Sequence, residues 1–434
     1  MEANEEQESE RAKTLHILVV LLYWYPYCGP HTPIYAGLFR TLRERGHKIT
    51  IITSFPHFRS GSPETWPEFR GKLFQHTNWE GMELIRTYVF APVFKSKKIA
   101  LICRALNFLS FNLSSTFVGI LWGGKPDIIL TLSSPPLTNG LVGRFLGKVK
   151  RAPCVYNMLD IYPDMAEKMG IWKNPMVMNI LKRIERLVYK LSDGIVVLSE
   201  SMRKNLLQKG IENKKIEVIP DFIDTKNIYP KKKDNDFARK YNLNNHFVAM
   251  YAGNVGIPHG VEVVIEAADL LRNRRNILFC IVGRGEYKDK LVNLVQEKGL
   301  QNVVFPPRQP EEVVPDIWAS ADVSLVTYRK GLAECSVPSK LLYIMASGRP
   351  VIVAADEDSE ACYIVKDSGC GINVAPEEPK AISEAIIYLF DHPEIRKEMG
   401  QRGFEYIKAH FQKKSVADKF EQFFFKLSRQ ETWK

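Results

Sequence analysis

Short runs of hydrophobic residues alternate with amphipathic stretches along the chain, in the order that parallel α/β folds produce. The first run, residues 16–22 (HILVVLL), has the length and continuity of a buried parallel strand. A loop containing glycine and proline follows it, and the pattern then predicts an amphipathic helix over residues 34–45 and a second strand over residues 47–53. This succession predicts a βαβ unit whose loop opens onto the N-terminus of a helix.

The same alternation occurs on both sides of a polar, charged stretch. Further strands are predicted at residues 127–132, 154–159 and 194–198 before it, and at residues 248–252, 277–282, 323–326 and 350–354 after it. We therefore predict an α/β protein with two doubly wound, Rossmann-like domains that bind ligands at the carboxyl ends of their strands, in one shared cleft. The predicted boundaries are an acidic solvated tail at 1–13, a first domain at 14–224, a linker at 225–245, a second domain at 246–410, and a C-terminal helix at 411–434 that packs back toward the first domain.

Composition and charge bear on location and partners. The 434 residues are 45% hydrophobic and 25% charged, which excludes a wholly disordered chain and a bundle of membrane spans. Seven cysteines without a CxxC pair, and no apolar leader before them, predict a reducing, cytoplasmic location. The net charge of +11 lies in the first half, where residues 13–200 hold 24 Lys or Arg against 12 Asp or Glu. Such a half favours an anionic membrane surface or phosphorylated substrates, and nucleic acid is not expected because no basic helix with interleaved aromatic residues occurs.

One stretch breaks the α/β pattern. Residues 105–122 carry no charged side chain and follow Lys95, Lys97, Lys98 and Arg104. A membrane span needs about 20 mostly apolar residues, whereas this stretch holds six Asn, Ser or Thr residues. Three interpretations stay open: a membrane span, a core helix, and an interfacial helix on an anionic membrane.

The usual cofactor and catalytic motifs are missing from the sequence. It contains no GxGxxG or Walker loop, no HExxH and no GxSxG. A nicotinamide dehydrogenase and a P-loop enzyme are therefore unsupported, and we predict neither a metal site nor a cofactor. The chemistry is expected to come from dispersed loop residues at the ends of strands.

Several segments resemble, in order, the motifs of family 4 glycosyltransferases. In the second half these are residues 218–224 (VIPDFID), 253–260 (GNVGIPHG), 281–285 (IVGRG), 321–323 (ADV) and 338–352 (PSKLLYIMASGRPVI). In the first half, residues 134–136 (SPP) and 159–164 (LDIYPD) are similar to loops of a subgroup that builds colanic acid and O-antigen with amino sugars. The resemblance implies a GT-B fold, with two Rossmann-like domains facing a central cleft, the donor on the second and the acceptor on the first.

The same resemblance implies a metal-independent, retaining glycosyltransferase. It would move a sugar, such as an N-acetylated amino or deoxy sugar, from a nucleotide-sugar donor, expected to be a UDP-sugar, to a polyprenyl-linked or saccharide acceptor in cell-surface polysaccharide biosynthesis. A lipid-linked acceptor would hold the protein at the inner face of the cell membrane as a peripheral protein. Two alternatives stay open: a nucleotide-sugar 2-epimerase of the same fold, and a glycosyltransferase-like protein that binds without catalysis.

The matching motifs supply the candidate site residues. Lys340, just before a predicted helix, can stabilise the leaving diphosphate together with the helix N-terminus. Asp160, at the end of a buried strand, can accept the proton of the acceptor hydroxyl. The other donor-side candidates are Gly29, Asn254, His259, Arg284, Glu334, Ser339 and Tyr343, and the acceptor-side candidates are His31, Ser134 and Pro135.

Two of the family's motifs, the phosphate loop and the glutamate pair, are altered in this sequence. The phosphate loop has Asn254 and His259 where the family has an arginine and a lysine, so His259 supplies charge only if its pKa is raised. The family's ribose-binding glutamate aligns with Tyr343, and Glu334 lies one position from the place of the partner glutamate.

Overall fold

The structure, a computed structural model, consists of two α/β units, each built on a largely parallel sheet. It describes residues 14–26, 31–57, 66–92, 97–170, 174–307, 309–333 and 338–429. The first unit contains strands β1 (His16–Val20), β2 (Lys48–Ser54), β3 (Phe74–Trp79), β4 (Met82–Thr87), β5 (Ile128–Leu132), β6 (Cys154–Asn157), β7 (Gly194–Val197) and β8 (Ile216–Val218). Its helices are α1 (Thr32–Glu44), α2 (Lys97–Trp122), α3 (Thr138–Lys150), α4 (Asp164–Lys168), α5 (Pro175–Leu191) and α6 (Glu200–Gln208).

The second unit follows directly. Its strands are β9 (Phe247–Asn254), β10 (Ile277–Arg284), β11 (Val303–Val304), β12 (Val323–Thr327), β13 (Val351–Ala354) and β14 (Gly371–Val374). Its helices are α7 (Asp236–Lys240), α8 (Glu262–Leu270), α9 (Lys288–Glu297), α10 (Val314–Ala319), α11 (Ser339–Ala346), α12 (Glu360–Ser368), α13 (Pro379–Asp391) and α14 (Pro393–His410). The last helix in the described part of the chain is α15 (Lys413–Ser428).

The first sheet has the strand order β3-β4-β2-β1-β5-β6-β7-β8, and only β3 runs antiparallel to its neighbour. Both faces are covered. On β1, Ile17 and Val19 pack with α1 and α15 on one face, while Leu18 and Val20 pack with α2 and α3 on the other. A strand buried on both faces needs a hydrophobic residue at every position, which explains the unbroken run in the sequence.

The second sheet is parallel throughout, with the order β11-β10-β9-β12-β13-β14. This is the order typical of dinucleotide-binding α/β sheets, and the direction of winding reverses between β9 and β12. In the first sheet the same reversal lies between β1 and β5. The prediction of two Rossmann-like α/β domains is confirmed, and each reversal marks the place where such sheets bind ligands.

Two chain segments cross between the domains side by side. Phe222 belongs to the first core and Ile223 to the second, and the Ile223 N–H donates a hydrogen bond to the Phe411 carbonyl at 3.2 Å. Beyond this second crossing, α15 returns to the first domain and buries Phe420 and Phe424 among the residues of its core. The last helix therefore packs on the first domain although it follows the second in sequence.

The segment 225–245 differs from its predicted role as a polar linker, because it is part of the second domain. Phe237 and Leu243 are buried in the core of that domain. The short helix α7 begins there because the Asn235 side chain accepts a hydrogen bond from the Ala238 N–H at 3.0 Å. The polar composition concealed this packing, since only one side of the segment is buried.

Candidate active site

The first group of candidates lies at the carboxyl ends of β9 and β10. Asn254 and Arg284 are register partners in the last rung of this pair, and both side chains are exposed. The glycines beside Arg284 are required by the packing of the strand ends. A Cβ on Gly283 would lie 1.9 Å from the Gly253 carbonyl oxygen, and Gly285 is equally close to the same loop. These glycines allow the two strand ends to approach each other.

Lys340 lies beside the carboxyl end of β9, close to Gly253. Helix α11 begins at Ser339, so Lys340 is its second residue and not, as predicted, the residue before the helix. Its Nζ donates a hydrogen bond to the Tyr251 Oη at 2.9 Å and lies 4.3 Å from the centre of that ring. Burial lowers the pKa of Lys340 to about 7. Among the described residues no carboxylate forms an ion pair with this lysine, so its charge is left for a bound anion to neutralise.

Tyr251 holds the lysine and the neighbouring loop together, and the sequence had not singled it out. Its Oη donates a hydrogen bond to the Asn254 carbonyl at 2.7 Å while accepting the one from Lys340. Gly253, between them, has φ +146, and a Cβ there would lie 3.5 Å from the Lys340 Cε. Hydrophobic patterning identified Tyr251 only as part of a buried strand, because the pattern carries no information about where a hydroxyl points.

His259 ends a single 3-10 turn, Ile257–His259, at the reversal between β9 and β12. Its carbonyl accepts a hydrogen bond from the Thr327 Oγ1 at 2.6 Å, and its ring packs edge-on against Tyr328. Burial and the charge of Lys340 lower the pKa of His259 well below its usual value. The imidazole is therefore neutral at physiological pH, and it does not replace the cation that the family has in this loop.

The second group lies at the carboxyl edge of the first sheet. Asp160 follows β6 and is half-buried, and His31 immediately precedes α1. The His31 Nδ1 lies 3.4 Å from the Asp221 carboxylate, whose side chain is 7% exposed. Burial, together with the charge of Asp221, raises the pKa of Asp160 although His31 opposes the shift. Burial acts against the charged imidazole, but Asp221 and Asp160 outweigh it and raise the pKa of His31.

Ser134 and Pro135 occupy the loop after β5, beside the loop that carries Asp160. The Ser133 Oγ accepts a hydrogen bond from the Leu159 N–H at 2.9 Å, which joins the two loops. The Ser134 carbonyl accepts another from the Leu22 N–H at 3.2 Å, at the end of the run that contains β1. The acceptor-side candidates are therefore brought to one edge of the first sheet.

Tyr343 lines a cleft of about 590 Å³ at the domain boundary. Residues of both domains line this cleft, among them Tyr25, Ile34 and Arg40 from the first and Glu311 and Tyr343 from the second. Burial and the negative charges of Glu311 and Asp221 raise the pKa of Tyr343 to about 12. The phenol is thus neutral, and it senses the charge of Asp221 across the domain boundary.

The sequence predicted most of these site residues, but it did not identify Asp221 or Tyr251 as candidates. The signal for Asp221 was present, since the segment VIPDFID has an aspartate where the family motif VIPNGVD has an asparagine. Gly29 and Glu334 lie outside the described residues. Within the described ranges, no three His, Cys, Asp or Glu side chains are grouped so that they could hold a metal ion.

Two family models together match most of the chain. Residues 32–221 match the model described as a glycosyl transferase 4-like domain, and residues 232–406 match the model described as glycosyl transferases group 1. The chain belongs to the family 4 glycosyltransferases. A similar relative is WcaI of Escherichia coli K12, a glycosyl transferase whose name assigns it to colanic acid biosynthesis. The two are 27% identical over 400 residues, which cover 88% of this transferase and 95% of WcaI.

Solved structures show the same architecture. Sucrose-phosphate synthase from Thermosynechococcus elongatus superposes with a TM-score of 0.74 at 17% identity, covering 95% of this transferase and 99% of that chain. HepE of Anabaena in complex with UDP gives a TM-score of 0.71 at 14% identity, covering 95% and 100% of the two chains. At these identities the likeness concerns the fold, and it confirms the GT-B arrangement that the motifs implied.

Proposed function

We propose that this transferase moves a sugar, with retention of configuration, from a nucleotide sugar to a lipid-linked acceptor in cell-surface polysaccharide biosynthesis. The observation that carries the proposal is Lys340 in the first turn of α11, half-buried and without a carboxylate partner among the described residues. A cation at a helix N-terminus is suited to a phosphate. The donor is proposed to be a UDP-sugar, which the UDP found in HepE supports.

The donor step follows from where charge develops. As the bond between the sugar and the diphosphate breaks, its electron pair leaves with the diphosphate, and negative charge builds up beside Lys340. The Nζ and the free N–H groups of the first turn of α11 would stabilise that charge more than they stabilise the intact donor. In this proposal these groups, and not a metal ion, neutralise the departing diphosphate.

The acceptor step uses the opposite side of the cleft. The oxygen of an acceptor hydroxyl forms the new bond to the anomeric carbon, and its proton passes to the Asp160 carboxylate. Burial raises the pKa of Asp160, which brings the carboxylate closer to the working pH of a general base. Ser134 and Pro135 are proposed to contact the acceptor, because their loop borders the one that carries Asp160.

The acceptor is proposed to be a polyprenyl-linked saccharide at the inner face of the cell membrane. The name of WcaI, which places that relative in the synthesis of an exported polysaccharide, supports this class. The basic first half of the chain supports catalysis at a membrane surface, because anionic lipids attract Lys and Arg.

Two assays in sequence test the proposal. Melting temperatures are first measured with a panel of UDP-, GDP- and dTDP-sugars, because a ligand at 100 times its Kd stabilises the native state by ~2.7 kcal/mol. The stabilising donor is then mixed with a polyprenyl-linked saccharide, and the released nucleoside diphosphate is measured. Release that depends on the acceptor supports a transferase. A donor that comes back epimerised, or one that is bound but left intact, would instead support one of the two alternatives.

A further inference from the structure

Helix α2 of the first domain exposes an apolar face to solvent. Six side chains recur along it at intervals of three or four residues and are exposed: Ile102, Leu106, Leu109, Leu113, Phe117 and Ile120. Their exposed fractions run from 37% for Ile120 to 65% for Leu113. Because an α-helix repeats every 3.6 residues, this spacing places all six on one face.

The opposite face of α2 packs on the domain and is mixed, since the apolar Phe111 and Val118 are buried there beside polar residues. Asn107 and Ser115 are buried. The Asn107 Nδ2 donates a hydrogen bond to the Phe90 carbonyl at 3.1 Å, and the Ser114 Oγ donates one to the Tyr88 carbonyl at 2.8 Å. These side chains satisfy the backbone of the segment that follows β4. On a domain surrounded by water the outer face of a helix is polar, whereas the outer face of α2 is apolar.

The exposure and the packing of α2 decide among the three interpretations of the charge-free stretch. Within the described part of the chain, residues 102–122 form one helix long and apolar enough to cross a membrane, with a mean hydropathy of 1.3. Only 28% of it is buried, so it is not a core helix. It is not a span either, because α2 packs along β2, β4 and α3 and its inner face is bonded to the domain.

Neighbouring elements extend the apolar face and surround it with positive charge. The exposed Phe74 of β3 packs its ring 4.8 Å from that of Trp122, and the exposed Phe145 and Val149 lie on α3, which packs beside α2. Between residues 84 and 159 the sequence holds ten Lys or Arg and one acidic residue. Three of these cations, Lys125, Lys148 and Arg151, are exposed.

We propose that this face docks the protein on an anionic lipid bilayer, with α2 lying along the membrane surface and its six apolar side chains in the headgroup region. The apolar side chains suit the acyl boundary of such a bilayer, and the surrounding cations suit its negatively charged headgroups. Helix α2 starts beyond the carboxyl end of β4 and ends before β5, so its first turns lie at the sheet edge that carries Asp160. The docked domain would therefore bring the acceptor side of the cleft to the bilayer.

Flotation of the full-length protein with vesicles tests the docking surface. We expect binding to phosphatidylcholine vesicles that contain phosphatidylglycerol, weaker binding to pure phosphatidylcholine, and a decrease as salt is raised. The double variant Leu109→Gln with Leu113→Gln should bind at least tenfold more weakly, because two exposed side chains no longer enter the bilayer. Leu270→Gln, at an equally exposed site on the second domain, is the matched control and should bind like the native protein.

The design separates the possible outcomes. Native protein that stays unbound at low salt, or a double variant that binds like the control, would overturn the proposal. A dimer in the absence of lipid that the double variant abolishes would also overturn it, by showing that a second copy covers the face. The inference rests on the proposed function only for the identity of the acceptor. Nucleoside diphosphate release with a water-soluble saccharide acceptor is therefore measured in parallel, and it should be equal in the native protein and the double variant.

Discussion

The two groups of candidate residues, one on each domain, carry opposite kinds of charge. On the second domain, Lys340 stands among neutral groups, the Tyr251 hydroxyl and the uncharged His259 imidazole. On the first domain, Asp160 and Asp221 surround His31. Burial lowers the pKa of Lys340 to about 7 and raises the pKa of Asp160, so the same physical cause moves both groups toward their neutral forms.

This contrast shows how one cleft can serve two partners. A diphosphate restores the charge of Lys340, whereas an acceptor hydroxyl needs the proton-accepting form of Asp160. Because the two groups are on different domains, each can be altered without touching the other. The comparison therefore predicts variants whose effects on donor binding and on turnover separate.

The largest expected effect is that of Asp160→Asn. The substitution keeps the shape of the side chain and removes the base, so turnover should fall by roughly 10²–10⁴. Steady-state release of nucleoside diphosphate measures the loss. Glu167→Gln, an exposed carboxylate on the nearby α4, is the control and should turn over at the native rate. Near-native turnover by folded Asp160→Asn would remove Asp160 from the reaction.

Lys340→Met should reduce turnover by roughly 10²–10³, the range for losing one preorganised group that stabilises developing charge. Methionine keeps much of the packing of the lysine stem, so the fold should be preserved. The same release assay measures the effect, with Lys366→Met on the surface of α12 as the control for loss of a positive charge. Equal rates for the two variants would contradict the role given to α11.

The pH dependence of donor binding tests whether the charge of Lys340 holds the donor. Lys340, with a pKa of about 7, is charged below that pH and neutral above it. Donor affinity should therefore fall as the pH rises through 7, by up to tenfold for each further unit, and binding above pH 7 should take up a proton. Calorimetric titrations in buffers of different ionisation enthalpy measure both. The dependence should be absent from Lys340→Met, and its persistence there would assign it to another group.

Tyr251→Phe should have the smallest effect. The ring remains beneath the ammonium, but the hydrogen bond from Lys340 is lost, which is worth about 1 kcal/mol and so roughly fivefold in donor affinity. Tyr251 is a positioning residue, because it acts through Lys340. Its loss should also move the midpoint of the pH dependence to lower pH, since the hydroxyl accepts from the charged amine. An unchanged midpoint would mean that Tyr251 serves only to fill space.

Most of the fold could be predicted because parallel strands buried on both faces leave continuous hydrophobic runs. For this reason the hydrophobic run at residues 16–22 and the strand runs after residue 246 could be recognised in the sequence. Only the site residues that lie in recognisable motifs could be predicted, since the partners of Lys340 and His31 are far from them in sequence. Neither the hydroxyl of Tyr251 nor the carboxylate of Asp221 has a local signature that says what it will contact.

The orientation of α2 shows a different limit. Its composition is equally compatible with a core helix and with an exposed one, because hydropathy does not say which face meets the domain. In the sequence, the serines and Asn107 interrupt an apolar helix. In the structure, Asn107 and Ser114 bind the segment after β4, while Phe111 and Val118 of the same face are buried in the core. The contacts with the segment after β4 and with the core show which face is the outer one.

The central claim is that the donor is held by the second domain and the acceptor proton is received by the first. Titration of the native protein, Lys340→Met and Asp160→Asn with the same nucleotide sugar tests it most directly. We predict that Asp160→Asn binds the donor with near-native Kd, while Lys340→Met binds it at least tenfold more weakly. Loss of donor binding in Asp160→Asn, or unchanged binding in Lys340→Met, would contradict the assignment of the two sides.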